Sequence, residues 1–207
     1  MGSVRRPIAK RTLDLVVASL LLVLLLPLVV VVLVAFTIDV LLVPADRGAL
    51  FYRETRISRG RAFDLLKFRT LRRQALERAE GHARPHEADA ANLTWVGRRI
   101  LKPWYLDEVP QLLNVLRGEI SLVGPRPWPP EMVRRQLAEG LTYRNEITAG
   151  LTGPAQVTKG QGRSYAELDA DYVHRSRTRS APELVLDDLR ILLRTVGVVA
   201  RRQGLSY

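Results

Sequence analysis

Two adjacent carboxylates, Asp107 and Glu108, precede a proline and an apolar run in the stretch YLDEVPQLLNV at Tyr105–Val115. Aspartate is a good helix N-cap, acids suit a first helical turn, and Pro110 is tolerated there, so local chemistry alone favours capping. The start of a helix also attracts phosphate. Two carboxylates there can hold a hard cation such as Mg²⁺, which bridges phosphate oxygens. The pair is therefore either a helix cap or part of a phosphate site.

A second unusual stretch is SLVGPRPWPP at Ser121–Pro130, in which Arg126 lies between Pro125 and Pro127. Prolines restrict the backbone and offer no donor, so the guanidinium is presented on a stiff loop. A rigid arginine fork suits a phosphate or a planar base. The alternative is a proline-rich connector with a solvated arginine.

A third stretch, Lys67-Phe68-Arg69-Thr70, puts Lys67 and Arg69 on one face of an extended chain and Phe68 on the other. These two cations are candidates for binding an anionic substrate. An ordinary half-buried strand would give the same pattern.

Several common sites are absent from the sequence. It has no GxSxG elbow, no phosphate-binding GxxxxGK[ST] loop and no cysteine, and Gly160-Gln161-Gly162 lacks the third glycine of a dinucleotide fingerprint. His82 and His86 have the spacing of metal ligands but lie in a polar segment beside Pro85, which favours a solvated surface.

The composition limits the class of protein. The 207 residues are 47% hydrophobic and 26% charged, which excludes a disordered chain and a polytopic membrane protein. The formal net charge of +11 indicates an anionic partner, such as nucleic acid, a membrane surface or a phosphorylated ligand. Without cysteine, the chain has no disulfides and no thiol chemistry.

An uncharged apolar run extends from Leu15 to Ile38. As a straight helix, roughly 24 residues measure about 36 Å, enough to cross the hydrocarbon core of a bilayer. The run is too long for a secretory signal, and no small-residue cleavage site follows it. The sequence therefore predicts insertion into a membrane.

Pro27, near the middle of this run, is expected to kink the helix. Arginines and lysines flank both ends, and short basic flanks prefer the cytoplasm. A helix that breaks at Pro27 and returns keeps both basic flanks inside, so the flanks favour a re-entrant hairpin. The alternative is an ordinary spanning helix with a tolerated proline.

The remaining sequence predicts a mixture of strands and helices. Strands are expected at Gly48–Ile57 and Arg61–Leu71 around a turn, followed by a surface helix and a loop in 72–92. Helices are expected at Asp107–Leu116 and Pro129–Leu137, and a loop in the glycine-rich segment 148–164.

A last helix is predicted near the C-terminus, ending before Gly204. Val185, Leu189, Leu192, Val196 and Val199 recur at helical spacing, with charged residues on the opposite side. This amphipathic helix either packs on a core or lies on the bilayer surface, and the pattern favours neither.

These stretches together resemble the bacterial sugar transferase family, the monotopic polyprenyl-phosphate phosphoglycosyl transferases. The resemblance extends from about Lys10 to Gly204, and its most specific block is LDEVPQLLNVLRGEISLVGPRP. The supporting blocks are KRTLD (Lys10–Asp14), FYRETRI, KFRT, GLTGPAQV, LDADYV (Leu168–Val173) and DLRILLRTV. The short length resembles the minimal members, which lack extra membrane helices.

The resemblance implies an enzyme that transfers a sugar-1-phosphate from a UDP-sugar to polyprenyl (undecaprenyl) phosphate and releases UMP. Asp107 would be the nucleophile that forms a covalent phosphosugar intermediate. Glu108, together with Asp107, would hold Mg²⁺, and the segment Pro125–Pro127 would contact the nucleotide. These implied roles reverse the preference for a simple helix cap.

The resemblance also implies a substrate-binding set and a location. The substrate-binding residues would be Lys67, Arg69, Lys102, Gln111, Pro125, Arg126, Pro127, Arg163 and Asp169. The partners would be the UDP-sugar, polyprenyl phosphate and the lipid bilayer but no nucleic acid, and a homodimer is left open. The location would be the bacterial inner membrane, with catalysis on its cytoplasmic face.

The sequence departs from the family pattern at three positions. Leu26 stands where the family often has a serine before the membrane proline, and Ala149 stands where a proline is frequent. Lys102 replaces the usual arginine five residues before the catalytic aspartate, which keeps the charge but loses the bidentate fork. None of these changes affects the Asp107–Glu108 pair.

The expected fold is therefore α+β. Residues 1–44 would form a basic N-terminus and a re-entrant membrane hairpin, and residues 45–207 a compact cytoplasmic catalytic domain with amphipathic interfacial helices. The enzyme would initiate the synthesis of an exopolysaccharide, an O-antigen or a glycoprotein glycan. The alternative is a single-span anchor carrying a basic binding or scaffold domain, which would leave the ordered sequence blocks unexplained.

Overall fold

The fold is mixed helix and strand, as the sequence predicts. The structure is a computed structural model that describes residues 4, 6–79, 83–158 and 162–201. His82, the pair Gly160-Gln161 and Gly204 lie outside these residues. The helices and strands run in the order α1 Ile8–Leu42, β1 Phe51–Ser58, β2 Arg61–Phe68, α2 Arg73–Arg78, α3 Ala83–His86, α4 Gln111–Arg117, β3 Ser121–Val123, α5 Pro130–Ala138, α6 Tyr143–Glu146, β4 Gly150–Thr152, α7 Pro154–Val157, α8 Tyr165–Thr178 and α9 Ala181–Ala200.

Helix α1 contains the apolar run and is the single described helix long and apolar enough to cross a membrane. It continues through Pro27 as one helix, so two helices separated by a break at this proline are not seen. Between Leu15 and Leu42, large apolar side chains cover its exposed surface. Water does not favour such a surface, and lipid does.

The described residues form two compact units. The first contains those of 1–19, 55–64 and 113–207, and the second contains 20–54 and those of 65–112. Helix α1, the β1–β2 hairpin and α4 each contribute residues to both units. The predicted division at residue 44 between a membrane segment and a catalytic domain stays a prediction.

The first unit is built around a short parallel pair, in which Ser121 of β3 lies opposite Gly150 of β4. The two backbones approach so closely that a Cβ atom on Gly150 would lie 2.1 Å from the amide nitrogen of Gly124. A side chain cannot be accommodated there, which explains the glycine in GLTGPAQV. The segment 148–164, predicted as a loop, therefore contains a strand and the short helix α7.

The second unit has an apolar core in which α1 packs against the hairpin and the segment that precedes Asp107. Val32, Phe68, Val96 and Leu101 are its buried centre. Phe51 and Phe68 also stack across the hairpin with ring centroids 5.5 Å apart, as aromatic pairs prefer. This core supports the turn that carries the two acids.

The last helix confirms the sequence expectation in extent, and its burial shows which side faces the protein. Helix α9 buries Leu184 and Ile191 together with the carboxylates Asp187 and Asp188. Its exposed side carries the apolar residues Leu186, Leu189, Leu193 and Val196. Asp187 therefore lies on the side opposite the apolar residues Leu189 and Val196, as the sequence pattern predicts, and Lys10 and Arg179 pair with the buried acids from outside the helix.

Candidate active site

Asp107 lies in a 3₁₀ turn, Leu106–Glu108, at the end of an irregular helical stretch. A π-helical segment, Gly97–Leu101, precedes it, and π-helical turns are frequent at functional sites. Tyr105 has a left-handed backbone with φ 55°, which is uncommon for a residue with a side chain. The helix predicted to begin at Asp107 instead begins at Gln111.

The capping interpretation is not supported for Asp107. The Leu106–Glu108 turn has no side-chain cap. Among the described residues, the Asp107 carboxylate accepts one hydrogen bond, which Lys102 Nζ donates to Oδ2 at 3.2 Å. Asp107 is only 3% exposed. A buried carboxylate that does not cap a helix needs another explanation.

Lys102 is held by two carboxylates. Its Nζ lies 2.6 Å from an oxygen of Glu87 and 3.2 Å from Asp107, and Glu87 in turn accepts a hydrogen bond from Thr70. Burial works to lower the pKa of Lys102, but the charges of Asp107 and Glu87 outweigh it and raise that pKa. Lys102 therefore stays charged beside Asp107.

The electrostatic environment of Asp107 is mixed. Burial raises the pKa of its carboxyl above the ordinary value, the charges of Lys102 and Lys67 oppose the rise, and the adjacent Glu108 adds to it. Lys67 also lies 3.6 Å from Glu54. The result is a desolvated carboxylate with a like-charged neighbour and two nearby cations, an arrangement found at functional sites.

Asp107 and Glu108 fit a magnesium ion as a partial ligand set. The described residues contain no group of three or more acidic, histidine or cysteine side chains that could hold a metal. Mg²⁺ is commonly bound by one or two carboxylates, with phosphate oxygens and water completing its octahedral shell. Asp107 and Glu108 provide two such carboxylates.

Arg69, expected to bind substrate, is used by the fold instead. Arg69 is 2% exposed, and its guanidinium donates to the backbone carbonyls of Ala49, Leu71 and Asp46. The KFRT motif therefore reaches the candidate site through Lys67 and Thr70. Gln111 is buried at the start of α4, close in sequence to the acids.

The proline loop of the first unit is fixed from both sides. Gly124 N donates to Thr152 O at 2.9 Å, and the carbonyl of Pro125 accepts from Gly150 N at 2.8 Å. Pro125 and Pro127 are buried, while the arginine between them is partly exposed. The stiffly presented guanidinium that the sequence predicts is compatible with this arrangement.

Arg144, which the sequence analysis did not single out, supports this loop. It is 6% exposed, its guanidinium stacks on Trp128 at 4.0 Å, and it donates to the carbonyl of Arg126 at 2.5 Å. The same guanidinium binds Gln136 at 2.8 Å and Asp169 at 2.7 Å. Spacing alone could not reveal it, because its partners are distant in the chain.

Asp169 and Arg163 occupy different surroundings from those expected of substrate ligands. Asp169 is 1% exposed and pairs with Arg144, so it acts on the loop through that arginine. Arg163 is exposed and pairs with Asp171 at 2.6 Å. The structure thus groups Lys67, Lys102, Asp107 and Glu108 in one unit and places Arg126, Arg144, Asp169 and Arg163 in the other.

The site contains a desolvated carboxylate beside a second acid and a lysine, and the mixed helix and strand fold that carries it has an exposed apolar helix. This combination is typical of a membrane-associated protein that handles phosphate groups. A family model described as bacterial sugar transferase matches residues 5–202. The chain therefore belongs to the bacterial sugar transferase family, which confirms the resemblance seen in the motifs.

Three curated relatives show the range of the match. UDP-galactose-lipid carrier transferase of Erwinia amylovora is 36% identical, over 94% of this chain and 41% of the relative. UDP-glucose:undecaprenyl-phosphate glucose-1-phosphate transferase of Caulobacter vibrioides is 37% identical, over 90% and 68%. Exopolysaccharide production protein ExoY of Sinorhizobium fredii is 34% identical, over 97% and 88%. The chain spans less than half of the Erwinia relative.

Proposed function

We propose that this protein is a membrane-anchored phosphoglycosyl transferase, which moves a sugar-1-phosphate from a UDP-sugar to polyprenyl phosphate and releases UMP. The observation that carries the proposal is Asp107, a buried carboxylate next to Glu108 that caps no helix and is held by Lys102. The names of the family relatives from Erwinia and Caulobacter supply the substrate classes.

The reaction consists of two displacements at phosphorus. An oxygen of Asp107 attacks the sugar-bearing phosphorus, the bond to the bridging oxygen breaks, and UMP leaves with that oxygen. An oxygen of polyprenyl phosphate then attacks the same phosphorus and expels the carboxylate. The bond between the sugar and its phosphate oxygen is never broken, so the anomeric configuration is retained.

The surroundings of Asp107 suit a nucleophile that also has to leave. Burial removes water from the carboxylate, which raises its pKa and makes it more reactive. Lys102, 3.2 Å away, keeps the charged form accessible and attracts the donor diphosphate. The negative charge of Glu108 repels the Asp107 carboxylate and so opposes the attraction that the lysines exert on it.

Glu108 and Asp107 would hold Mg²⁺ through carboxylate oxygens. A bound magnesium ion neutralises the charge of the diphosphate and of the leaving UMP. Arg126, on its clamped proline loop, would orient the donor nucleotide by hydrogen bonds to phosphate.

Contacts at the two ends of α1 support a re-entrant anchor. Near its start, Asp14 accepts a hydrogen bond from Leu122 N at 2.8 Å, and near its end Asp39 accepts one from Val96 N at 3.3 Å. The chain between Val96 and Leu122 contains no candidate membrane span, and all of it is described. These contacts support an anchor whose two ends remain on one face of the bilayer, which we take to be the cytoplasmic face of the inner membrane.

The exposed apolar face of α9 supports an interfacial position for that helix. Leu186, Leu189, Leu193 and Val196 would lie in the headgroup boundary, as in other amphipathic interfacial helices. Of the two interpretations open from sequence, burial favours the bilayer surface over core packing.

The test is an exchange reaction with the full chain in lipid nanodiscs. The protein is incubated with Mg²⁺, a panel of UDP-sugars and labelled UMP, without polyprenyl phosphate. A two-displacement enzyme returns label to its cognate UDP-sugar, because the first half-reaction is reversible alone. Product formation on adding acceptor, but no exchange before it, would contradict the covalent scheme. If neither exchange nor product formation occurred with any donor, that result would contradict the proposed function.

A further inference from the structure

A cleft of about 710 Å³ in the first unit is lined by four arginines and one acid. The arginines are Arg6, Arg59, Arg61 and Arg117, and the acid is Glu119. Arg6 precedes α1, Arg59 lies in the β1–β2 turn, Arg61 begins β2 and Arg117 ends α4, with Glu119 two residues further on. None of these residues belongs to the Asp107 group or to the proline loop.

The walls of the cleft are tied together by backbone hydrogen bonds. Arg59 N in the β1–β2 turn donates to Ile147 O at 3.2 Å, and Val4 N donates to Glu146 O at 2.8 Å. The hairpin turn and the N-terminal segment are thus fixed to the last residue of α6 and to the residue that follows it. The arginines are therefore brought to one cleft by the fold and not by chance proximity along the chain.

The described residues leave part of the charge in the cleft without an ion-pair partner. Glu119 accepts a hydrogen bond at 2.6 Å from a neutral side-chain amide, and Arg61 and Arg117 form no ion pair with any described residue. Arg6 pairs with Asp14, but its buried Nε has no hydrogen-bond partner among the described residues. Like charges around one concave surface repel each other unless an anion binds there.

The position of Arg6 indicates where that anion comes from. Arg6 lies two residues before α1, and the continuous exposed apolar surface of α1 begins at Leu15 and Val16, after the single exposed Ile8 in the first turn. From Ile8 to Val16 the helix rises about 12 Å, comparable to the headgroup layer plus the reach of an arginine side chain. The cleft therefore borders the layer in which lipid phosphates lie.

We propose that this cleft binds the phosphate of an anionic phospholipid headgroup, as a site separate from the donor and acceptor sites. The arginine forks supply several donors for phosphate oxygens, and Ser58 and Thr148 add hydroxyl groups to the lining. Bound lipid offsets the repulsion among the arginines and holds the hairpin turn next to the bilayer. This inference does not depend on the transferase reaction.

The test is a binding titration of the detergent-solubilised full chain, followed by native mass spectrometry. The probes are a short-chain phosphatidylglycerol, the matching phosphatidylcholine and inorganic phosphate. The cleft variant combines Arg61→Gln with Arg117→Gln. The control combines Arg134→Gln with Arg135→Gln, which removes the same charge from the exposed side of α5, outside the cleft.

The wild-type chain should bind phosphatidylglycerol more tightly than phosphatidylcholine, and the cleft variant should lose about tenfold in that affinity. The control should stay within about twofold, because its arginines lie outside the cleft. Equal loss in both variants would show a general charge effect and overturn the site. Inorganic phosphate competing at the same concentration as the lipid would overturn the assignment of its source.

Discussion

Asp107 and Asp188 are both buried carboxylates whose pKa burial raises, yet their surroundings differ. Asp188 receives Lys10 Nζ on one oxygen and Tyr172 OH, at 2.8 Å, on the other. Asp107 receives Lys102 on one oxygen, and its other oxygen accepts no hydrogen bond from a described residue. The first carboxylate is satisfied by the fold, and the second is not.

This difference separates a structural acid from a reactive one. A buried charge with donors on every oxygen stabilises a particular packing, here the attachment of the first turns of α1 to α9. Asp107 is a buried charge with an open oxygen and a like-charged neighbour, Glu108. Such a group is typical of a reactive site. Asp169 is intermediate, since Arg144 holds one oxygen and the other is buried with no hydrogen-bond partner among the described residues.

Asp107→Asn is expected to have the largest effect on activity. Removing the nucleophile should reduce turnover by at least about a thousandfold. The midpoint of thermal unfolding should change little, because the change removes a desolvated charge that Glu108 repels. UMP release and differential scanning fluorimetry measure the two quantities. Asp171→Asn, at an exposed acid, is the matched control and should keep wild-type turnover.

Asp188→Asn should show the opposite pattern. It leaves Lys10 buried without its counter-ion, which is expected to lower the free energy of unfolding by about 3–5 kcal/mol. The double variant Lys10→Met with Asp188→Leu removes both charges and should recover part of this loss. A single variant as stable as the wild type in denaturant titrations would contradict the structural assignment.

Asp169 should make stability depend on pH. Burial raises its pKa to about 6, with the charge of Arg144 opposing the rise, so the folded state holds a proton that the unfolded state has lost. Its contribution to stability should therefore be largest below about pH 4, fall as the pH rises to about 6, and be constant above that.

The measurement compares wild-type and Asp169→Asn unfolding midpoints across this range. Because the asparagine cannot ionise, the wild-type midpoint should fall relative to the variant by a few degrees between pH 4 and pH 6. Parallel curves would show that this carboxyl does not titrate there.

Arg144→Lys should have the smallest effect, and a selective one. A lysine keeps the charge but cannot bind Asp169, Gln136 and the Arg126 carbonyl together or stack equally on Trp128. The donor KM should rise about tenfold with kcat nearly unchanged, because the proline loop is displaced while Asp107 is intact. Arg135→Lys, an exposed change on α5, is the control. A loss confined to kcat would contradict the positioning role.

Sequence patterns identified the elements whose signals are local. The β1–β2 hairpin, α5 and α9 lie close to their expected bounds, since alternation, prolines and helical periodicity act within one segment. The strand β4 was missed, because Gly150–Thr152 lies in a glycine-rich segment and forms a strand only by pairing with β3. The orientation of α9 stayed open from sequence, since it depends on ion pairs with residues outside the helix, Arg179 and the distant Lys10.

The candidate site shows the same limit. Asp107, Glu108, Lys67 and Arg126 could be chosen from short motifs with unusual composition. Glu87 and Arg144 could not, because each acts on a residue far from it in sequence or through a backbone carbonyl. Arg69 was chosen for its charge, although its hydrogen bonds to three carbonyls give it a structural role.

The most direct test of the account is to trap the covalent intermediate. The full chain in nanodiscs receives the cognate UDP-sugar labelled in the phosphate next to the sugar, with Mg²⁺ and without acceptor, and is quenched in acid. The account predicts label on the protein, mapped to the peptide that contains Asp107, and none in Asp107→Asn. Label on another residue, or retained in that variant, would contradict it.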